Sequence, residues 1–548
     1  MDMQVSRIGG GWRAAARFCA GAIAVGTLAA TVTAAGASVT AARDSGARAA
    51  PVVSTAEGAV RGEIVGTADE FLGIPYAAPP VGPLRWRPPQ PAARWHNVRD
   101  ATKFAPHCPQ PASPFGEASM SENCLYLNVF APAGREHSGG DLPVMVWIHG
   151  GGLRIGESDD YDPAPLVADG TVVVTINFRL GALGFLAHPA LADRPGGSSG
   201  NYGLMDQQAA LRWVQHNIRQ FGGDPRNVTI AGESSGALSV LAQVASPGAH
   251  GLFAKAIVES GAFALTQTPL AKAEAAGEAF AAKAGCANES AACLRRLPIS
   301  TILADQDNGT YGYTPDVVDG TVLKQSIGRA LATGEFNRVP IIDGTNHDES
   351  RLFVAVDELE GAPAAAANYR AMIASTLGFS AAAAAVIAAQ YPLSAYASPS
   401  VALSAADTDA IFACPALQVD KWTSKYVPTF AYEFNDENAP ERYLPPVSFP
   451  YGAAHESEVQ YLFGLPTAPI TATLTAQQQQ LAATMQHYWT SFATRGFPSS
   501  AGQPPWPGFG SQGQQMISLV PPRPEGETDF ATVHHCAFWA SVGYPTQI

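Results

Sequence analysis

Residues 228–244 read VTIAGESSGALSVLAQV, a short apolar strand, a G-x-S-x-G motif and a helix-forming run. The motif therefore lies on a sharp turn between a strand at 228–231 and a helix at 237–244. Its glycines leave room for such a turn, and the central Ser234 lies near the positive end of the helix dipole. This context predicts that Ser234 is an activated nucleophile, with a chance match as the alternative. Ser235 is a competing hydroxyl outside the central position of the motif.

The sequence before this motif alternates between strands and helices. Residues 144–148 and 172–176 are continuous apolar runs, which are typical of strands buried on both faces of a parallel sheet. Residues 206–221 have the periodicity of an amphipathic helix, and GGDP at 222–225 ends it. This alternation predicts an α/β fold with a mainly parallel sheet.

A second glycine-rich motif, HGGG at 149–152, directly follows the predicted strand 144–148. Consecutive glycines allow backbone N–H groups to turn toward a developing oxyanion, although a plain flexible turn is the alternative. We expect the oxyanion to be bound by the backbone N–H groups of Gly151, Gly152 and Ser235.

Composition limits the classes of partner. The chain has 548 residues, 47% of them hydrophobic, and a formal net charge of -14 from 33 basic and 47 acidic side chains. No run of lysine or arginine interrupts the body of the chain, so nucleic acid and anionic membrane surfaces are disfavoured as partners. The sequence predicts no stable membrane insertion beyond the N-terminus and leaves the oligomeric state open.

The N-terminus has the pattern of an export signal. Three arginines precede an apolar stretch of small residues at 18–33, and small residues suited to cleavage follow. We expect residues 1–48 to be a cleaved leader and residues 49–548 to form a single secreted domain. An N-terminal membrane anchor is the alternative, but the apolar run is short and rich in alanine and glycine.

With both glycine motifs in place, the chain resembles the type-B carboxylesterase/lipase family, the cholinesterase-like branch of the α/β-hydrolases. The resemblance implies an α/β-hydrolase fold, in which helices flank a central, mostly parallel sheet. It also implies hydrolysis of small-molecule carboxylic esters with no metal or organic cofactor. Further blocks that carry the resemblance are FLGIPYA at 71–77, LRW at 84–86, ENCLYLNV at 122–129, NYGLMDQ at 201–207 and FGGDP at 221–225.

The resemblance also supplies the acid of a catalytic triad. GTNHDES at 344–350 matches the family's G-x-N-x-D-E-G block, so Glu349 is the expected acid. Asp348 is the nearest rival carboxylate, and His347 is a local rival as the base. Ser350 replaces the glycine that commonly follows the acid.

The expected base is His455. It lies in GAAHESE at 452–458, which matches the family's G-x-x-H-x-x-E block, and Phe-Gly follows at 463–464 as in the family. The order Ser234, Glu349, His455 agrees with the order of triad residues in this fold.

Six cysteines remain outside the leader, and an even number in an exported chain favours disulfides over free thiols. Their spacing does not resemble a zinc site. The resemblance implies the pairs Cys108–Cys124, Cys286–Cys293 and Cys414–Cys536. Cholinesterases carry a choline-binding tryptophan in the first of these loops, whereas here Phe115 is the only aromatic residue, which disfavours a cholinesterase.

Three questions stay open at the level of sequence. The alanine-rich residues 358–391 are expected to form inserted helices, which are either static surface helices or a mobile cap. The alternative enzymatic functions are lipase activity on longer acyl chains and amidase or carbamate hydrolase activity. The alternative non-enzymatic function is that of a binding protein with the same fold.

Overall fold

The computed structural model describes most of the chain beyond the predicted leader. The leader, residues 1–48, lies outside the described residues. The described ranges are 49–135, 139–192, 197–287, 290–306, 316–510 and 513–544.

The strands are short at the N-terminus and longer where they form the central sheet. They are β1 (Val52–Ser54), β2 (Ala59–Arg61), β3 (Glu63–Val65), β4 (Ala68–Pro75), β5 (Arg99–Asp100), β6 (Tyr126–Pro132), β7 (Leu142–Ile148), β8 (Val172–Ile176), β9 (Gly223–Glu233), β10 (Lys255–Glu259), β11 (Thr268–Pro269), β12 (Val317–Val318), β13 (Ile341–Asn346), β14 (Thr429–Phe434), β15 (Met516–Leu519) and β16 (Glu525–Glu527).

The α-helices alternate with these strands from the middle of the chain onward. They are α1 (Ala164–Ala168), α2 (Gly181–Phe185), α3 (Tyr202–Asn217), α4 (Ser235–Ala245), α5 (Leu270–Lys283), α6 (Ala291–Leu294), α7 (Ile299–Gln306), α8 (Ile327–Thr333), α9 (Arg351–Leu359), α10 (Tyr369–Leu377), α11 (Ala381–Gln390), α12 (Pro399–Thr408), α13 (Cys414–Thr423), α14 (Ala476–Arg495), α15 (Phe530–Val533) and α16 (Cys536–Ser541).

An 11-stranded sheet with the order β16-β15-β14-β13-β10-β9-β7-β8-β6-β4-β3 forms the centre of the fold. From β15 to β8 neighbouring strands pair in parallel, and the strands at both edges are antiparallel. The predicted α/β fold with a mostly parallel sheet is therefore confirmed.

Both faces of the sheet are covered, as its apolar strands require. On β7, Val146 packs into a core that includes Leu241 of α4. The next residue, Trp147, packs on the opposite face into a core that includes Trp489 of α14. Because side chains alternate along a strand, one apolar run supplies two cores.

The predicted helical segment 358–391 contains the end of α9 and all of α10 and α11. These helices share an apolar cluster with α12 and with Trp539 of α16, so they are packed onto the fold. Within the described residues, no single helix is long and apolar enough to cross a membrane. The bent pair Tyr369–Leu377 and Ala381–Ala395 meets that test by length and composition only.

Three disulfides join the pairs of cysteines that the resemblance implies. Two close short loops, Cys108–Cys124 and Cys286–Cys293. The third, Cys414–Cys536, joins residues 122 apart and ties the C-terminal helix α16 to the start of α13.

Candidate active site

Ser234 occupies the turn between β9 and α4, at the carboxyl edge of the sheet. Its φ is 55° and its ψ is -126°, a conformation that is costly for a residue with a Cβ. Its backbone N–H donates to the carbonyl of Glu259 at 2.8 Å, which fixes the turn to the end of β10. A Cβ on Gly236 would lie 2.0 Å from the carbonyl oxygen of Ile148, so the turn requires glycine there.

The HGGG loop lies against this turn. Gly151 and Gly152 have φ values of 99° and 64°, which glycine adopts at little cost. The Oγ of Ser235 accepts a hydrogen bond from the backbone N–H of Leu153 at 3.0 Å. The hydroxyl of Ser235 therefore ties the glycine loop to the serine turn, a role that the sequence pattern did not indicate.

His149 begins the glycine loop and is fully buried. Its Nδ1 lies 2.9 Å from the carbonyl oxygen of Gly150, and its ring stacks on Phe178 with centroids 4.6 Å apart. Burial lowers the pKa of His149 to about 4. The ring is therefore neutral at pH 7, which fits Nδ1–H donating to Gly150.

Glu349 and His455 come together on loops that follow β13 and β14. The Nδ1 of His455 lies 2.5 Å from Oε2 of Glu349. The other oxygen of Glu349, Oε1, accepts from the hydroxyl of Thr345 at 2.6 Å and from the N–H of Asn346 at 2.8 Å. Because Glu349 is buried and its carboxyl is held by these three groups, the orientation of the imidazole is fixed.

The other nitrogen of His455 faces the serine turn. Nε2 has no hydrogen-bond partner among the described residues and lies 3.1 Å from Oε1 of Glu233, the residue that precedes Ser234. The rings of Phe353 and Phe412 flank the imidazole, each with its centroid 5.1 Å from that of His455. Two aromatic rings thus lie against the imidazole and leave Nε2 on the side of Glu233.

Further buried carboxyl groups surround His455. Burial, followed by the charges of neighbouring glutamates, raises the pKa of Glu233 well above its usual range. Burial and the charge of Glu349 raise the pKa of Glu458 to about 7. Asn346 donates through Nδ2 to Glu458 and through its backbone N–H to Glu349, so it contacts both carboxyl groups.

The two rivals within the 344–350 block lie elsewhere. Asp348 forms an ion pair with Arg351 at 2.8 Å and accepts from the N–H of Ala453 at 3.1 Å. The Nδ1 of His347 lies 2.8 Å from Glu433 rather than beside Ser234. Glu233 and Thr345 lie inside the G-x-S-x-G motif and the 344–350 block, but neither pattern assigns them a contact, so only the structure reveals their part in the site.

Comparison with known proteins identifies the chain. The model of the carboxylesterase family matches residues 49–539. The chain belongs to the carboxylesterase family. It is a carboxylic ester hydrolase with an α/β-hydrolase fold, as the resemblance implies.

Individual relatives match along most of their length. The chain is 36% identical over 491 residues to the acylcarnitine hydrolase of Mus musculus, covering 83% of this chain and 85% of the relative. It is 36% identical over 480 residues to the fumonisin B1 esterase of Sphingopyxis macrogoltabida, covering 84% and 85%. It is 34% identical over 487 residues to the para-nitrobenzyl esterase of Bacillus subtilis, covering 85% and 94%. Small-molecule esters are therefore the substrate class of the family.

Proposed function

We propose that this carboxylesterase works through an acyl-enzyme on Ser234, with His455 as the base and Glu349 as the acid. The observation that carries the proposal is the orientation of His455. Its Nδ1 is bound to the buried Glu349, while Nε2 is free of hydrogen bonds among the described residues and faces the turn that holds Ser234. A general base needs one nitrogen fixed and the other available.

The proposed oxyanion hole consists of the backbone N–H groups of Gly151, Gly152 and Ser235. Two of these lie on the glycine loop and the third opens α4, where the helix dipole favours negative charge. The hydrogen bond between Ser235 Oγ and the N–H of Leu153 holds the two segments together before substrate binds. Such preorganised donors stabilise the charge that develops on the carbonyl oxygen.

The proposed reaction has two stages. His455 Nε2 takes the proton of the Ser234 hydroxyl as Oγ attacks the ester carbonyl, and Glu349 stabilises the imidazolium. The tetrahedral oxyanion collapses, the C–O bond to the alcohol breaks, and His455 returns the proton to the departing alcohol. Water, deprotonated by His455, then attacks the acyl-enzyme, and the second collapse releases the acid and restores Ser234.

Mutation of the nucleophile tests this assignment. We expect Ser234→Ala to abolish hydrolysis of a short-chain p-nitrophenyl ester without changing the circular dichroism spectrum. Ser239→Ala is the matched control, because Ser239 is a buried serine of α4, the helix that follows Ser234, and its hydroxyl accepts from Gln207. A fluorophosphonate should label Ser234 in the wild-type protein, as read by peptide mass spectrometry. Label on another serine, or an acylation burst in Ser234→Ala, contradicts the proposal.

A graded panel of substrates separates the alternatives. The proposal of a carboxylesterase expects the highest kcat/KM on short, soluble acyl esters. Activation at an oil–water interface with a preference for long acyl chains would make the protein a lipase, and would favour a mobile cap over residues 358–391. Faster turnover of anilides or carbamates than of the matched esters would make it an amidase or carbamate hydrolase. Tight binding without turnover would instead indicate a binding protein.

We also propose that the protein is secreted after removal of residues 1–48. The three disulfides support this, since such bonds persist in oxidising compartments. The test is the N-terminal sequence of the protein collected from the medium of an expressing culture. A first residue near 49 agrees with the proposal, and so does one directly after Ala35-Gly36-Ala37, which has the A-x-A pattern of a cleavage site. Protein that keeps residues 1–48 and stays with the cells contradicts it.

A further inference from the structure

A second polar cluster lies at the same edge of the sheet as the candidate triad, and the proposed reaction does not use it. The histidine–glutamate cluster consists of His347, Glu433 and His534. The Oε1 of Glu433 lies 2.8 Å from Nδ1 of His347 and 2.6 Å from Nε2 of His534. One nitrogen or oxygen from each of the three residues lies within 4.8 Å of those from the other two.

The three residues come together because of the sheet topology. Glu433 is on β14, and His347 directly follows β13, the parallel neighbour of β14. The N–H of His347 donates to the carbonyl of Phe434 at 3.0 Å, which fixes its place beside Glu433. His534 directly follows α15 near the C-terminus, and its Nε2 meets the cluster at Glu433.

The far nitrogen of His534 is already oriented by a carboxylate. Its Nδ1 lies 2.6 Å from Oδ1 of Asp409, and Asp409 also accepts from the hydroxyl of Tyr391 at 2.6 Å. A proton on Nδ1 is therefore held by Asp409, and Nε2 is the nitrogen directed at Glu433. A histidine whose second nitrogen donates to a carboxylate is the usual arrangement for a metal ligand.

A further carboxyl group borders the cluster. Glu527 on β16 forms a side-chain hydrogen bond with Glu433. Its Oε2 is buried and has no hydrogen-bond partner among the described residues. Glu433, Glu527 and Asp409 thus place three carboxyl groups around His347 and His534, and Asp409 also lies 3.2 Å from Nδ1 of His535. A divalent cation held by Glu433 and the two imidazoles would bring two positive charges next to these carboxyl groups.

We propose that His347 Nδ1, Glu433 Oε1 and His534 Nε2 bind a zinc ion. Two imidazoles and a carboxylate are zinc ligands, and water or Glu527 would complete a tetrahedral shell. Ligand atoms about 2.0–2.1 Å from a tetrahedral ion are about 3.4 Å apart, so each imidazole nitrogen moves less than about 1 Å from Glu433. Binding displaces to solvent any proton held on the two coordinating nitrogens.

The side chain of His347 is 28% exposed, which gives the ion a path from solvent. The site would be structural. It joins the loop after β13, which carries Glu349, to the C-terminal segment that the Cys414–Cys536 disulfide also anchors. Zinc is therefore expected to raise stability without taking part in ester hydrolysis, and the inference does not rest on the proposed triad.

The experiment measures metal binding by the purified exported protein after treatment with EDTA and dialysis. Isothermal titration with Zn²⁺ should give one ion per chain, and titration with Co²⁺ should give the visible absorption of tetrahedral coordination. His347→Gln keeps a polar group at the edge of the cluster and should weaken zinc binding at least tenfold. His487→Gln is the matched control, since His487 is 54% exposed and faces a carboxylate, Asp169, at 3.5 Å. Its affinity for zinc should stay within twofold of wild type.

Three outcomes would overturn the proposal. The first is no saturable binding of Zn²⁺ by the wild-type protein. The second is equal affinity in His347→Gln and wild type. The third is loss of binding in His455→Gln but not in His347→Gln, which would place the ion at the candidate active site. Because the readout is binding and not turnover, failure here is distinguishable from failure of the proposed function.

Discussion

Thr345→Val tests how strongly the candidate acid depends on its supports. The hydroxyl of Thr345 donates to Oε1 of Glu349 at 2.6 Å, and both residues are buried. Valine has nearly the same shape as threonine, so the substitution removes one donor and leaves the packing in place. Glu349 keeps the N–H of Asn346 and the Nδ1 of His455.

The expected loss of stability in Thr345→Val follows from the type of hydrogen bond that is removed. A hydrogen bond to a charged group contributes about 1.5–3 kcal/mol, so the free energy of unfolding should fall by about that amount. The value of kcat should fall as well, because Glu349 stabilises the imidazolium that forms when His455 carries the proton. A loss of about 1.4 kcal/mol in the transition state corresponds to a tenfold fall in kcat, with KM nearly unchanged.

The assay combines urea denaturation with steady-state hydrolysis of a p-nitrophenyl ester. Thr229→Val is the matched control, since Thr229 is a buried strand residue whose Oγ1 has no hydrogen-bond partner among the described residues. The control should keep wild-type kcat and lose no stability, because replacing a buried hydroxyl that has no partner among those residues removes no hydrogen bond. If Thr345→Val keeps full kcat while losing stability, the hydroxyl supports the fold but does not position the acid. If neither kcat nor stability changes, the hydroxyl of Thr345 does not support Glu349, contrary to the prediction.

Three further outcomes are expected. Replacing Cys414 and Cys536 with serine opens a loop of 122 residues and should cost about 2–5 kcal/mol of stability, with kcat retained by the folded fraction; an unchanged urea midpoint contradicts this. Removing Arg179 leaves Asp206 buried without the ion pair at 2.7 Å, so Arg179→Met should cost about 3–5 kcal/mol and a second change, Asp206→Leu, should recover much of it. Burial holds the pKa of His149 near 4, whereas an unfolded histidine takes a proton below about pH 6.5. The unfolded state therefore gains a proton on acidification that folded His149 does not take up, so the free energy of unfolding at pH 5 is about 2 kcal/mol lower than above pH 6.5. His149→Gln should flatten the pH dependence of the urea midpoint between pH 6.5 and 5.

The local parts of the fold could be predicted from sequence alone. The predicted strand 172–176 is β8 without change, and the predicted helix 237–244 lies within α4. The predicted strand 228–231 is only the centre of β9, which runs from Gly223 to Glu233. Propensity missed its ends because Gly223 pairs with Leu142 of β7, and such pairing depends on a strand distant in the chain.

Local sequence predicts some parts of the candidate site and not others, as it does for the fold. The serine turn and the glycine loop are contiguous motifs, so strand and helix context sufficed to find them. Glu349 and His455 are 106 residues apart, and only the family resemblance pointed to them. His347 appeared as a rival base because its neighbours in sequence belong to the acid block. Its actual partner, Glu433, is 86 residues away, a distance that no local pattern spans.

Glu349 and Glu233 lie at similar distances from the imidazole of His455, but they differ in the hydrogen-bond donors that their carboxyl groups receive. Glu349 and Glu233 lie 2.5 Å and 3.1 Å from the two imidazole nitrogens. Glu349 accepts hydrogen bonds from a hydroxyl and from a backbone N–H, and such hydrogen bonds favour the ionised form of a carboxyl group. The Oε1 of Glu233 has no hydrogen-bond partner among the described residues, and burial raises the pKa of this carboxyl. Glu349 is therefore the carboxyl group that is held in place to orient His455 through Nδ1, whereas Nε2 lies on the side of the serine turn.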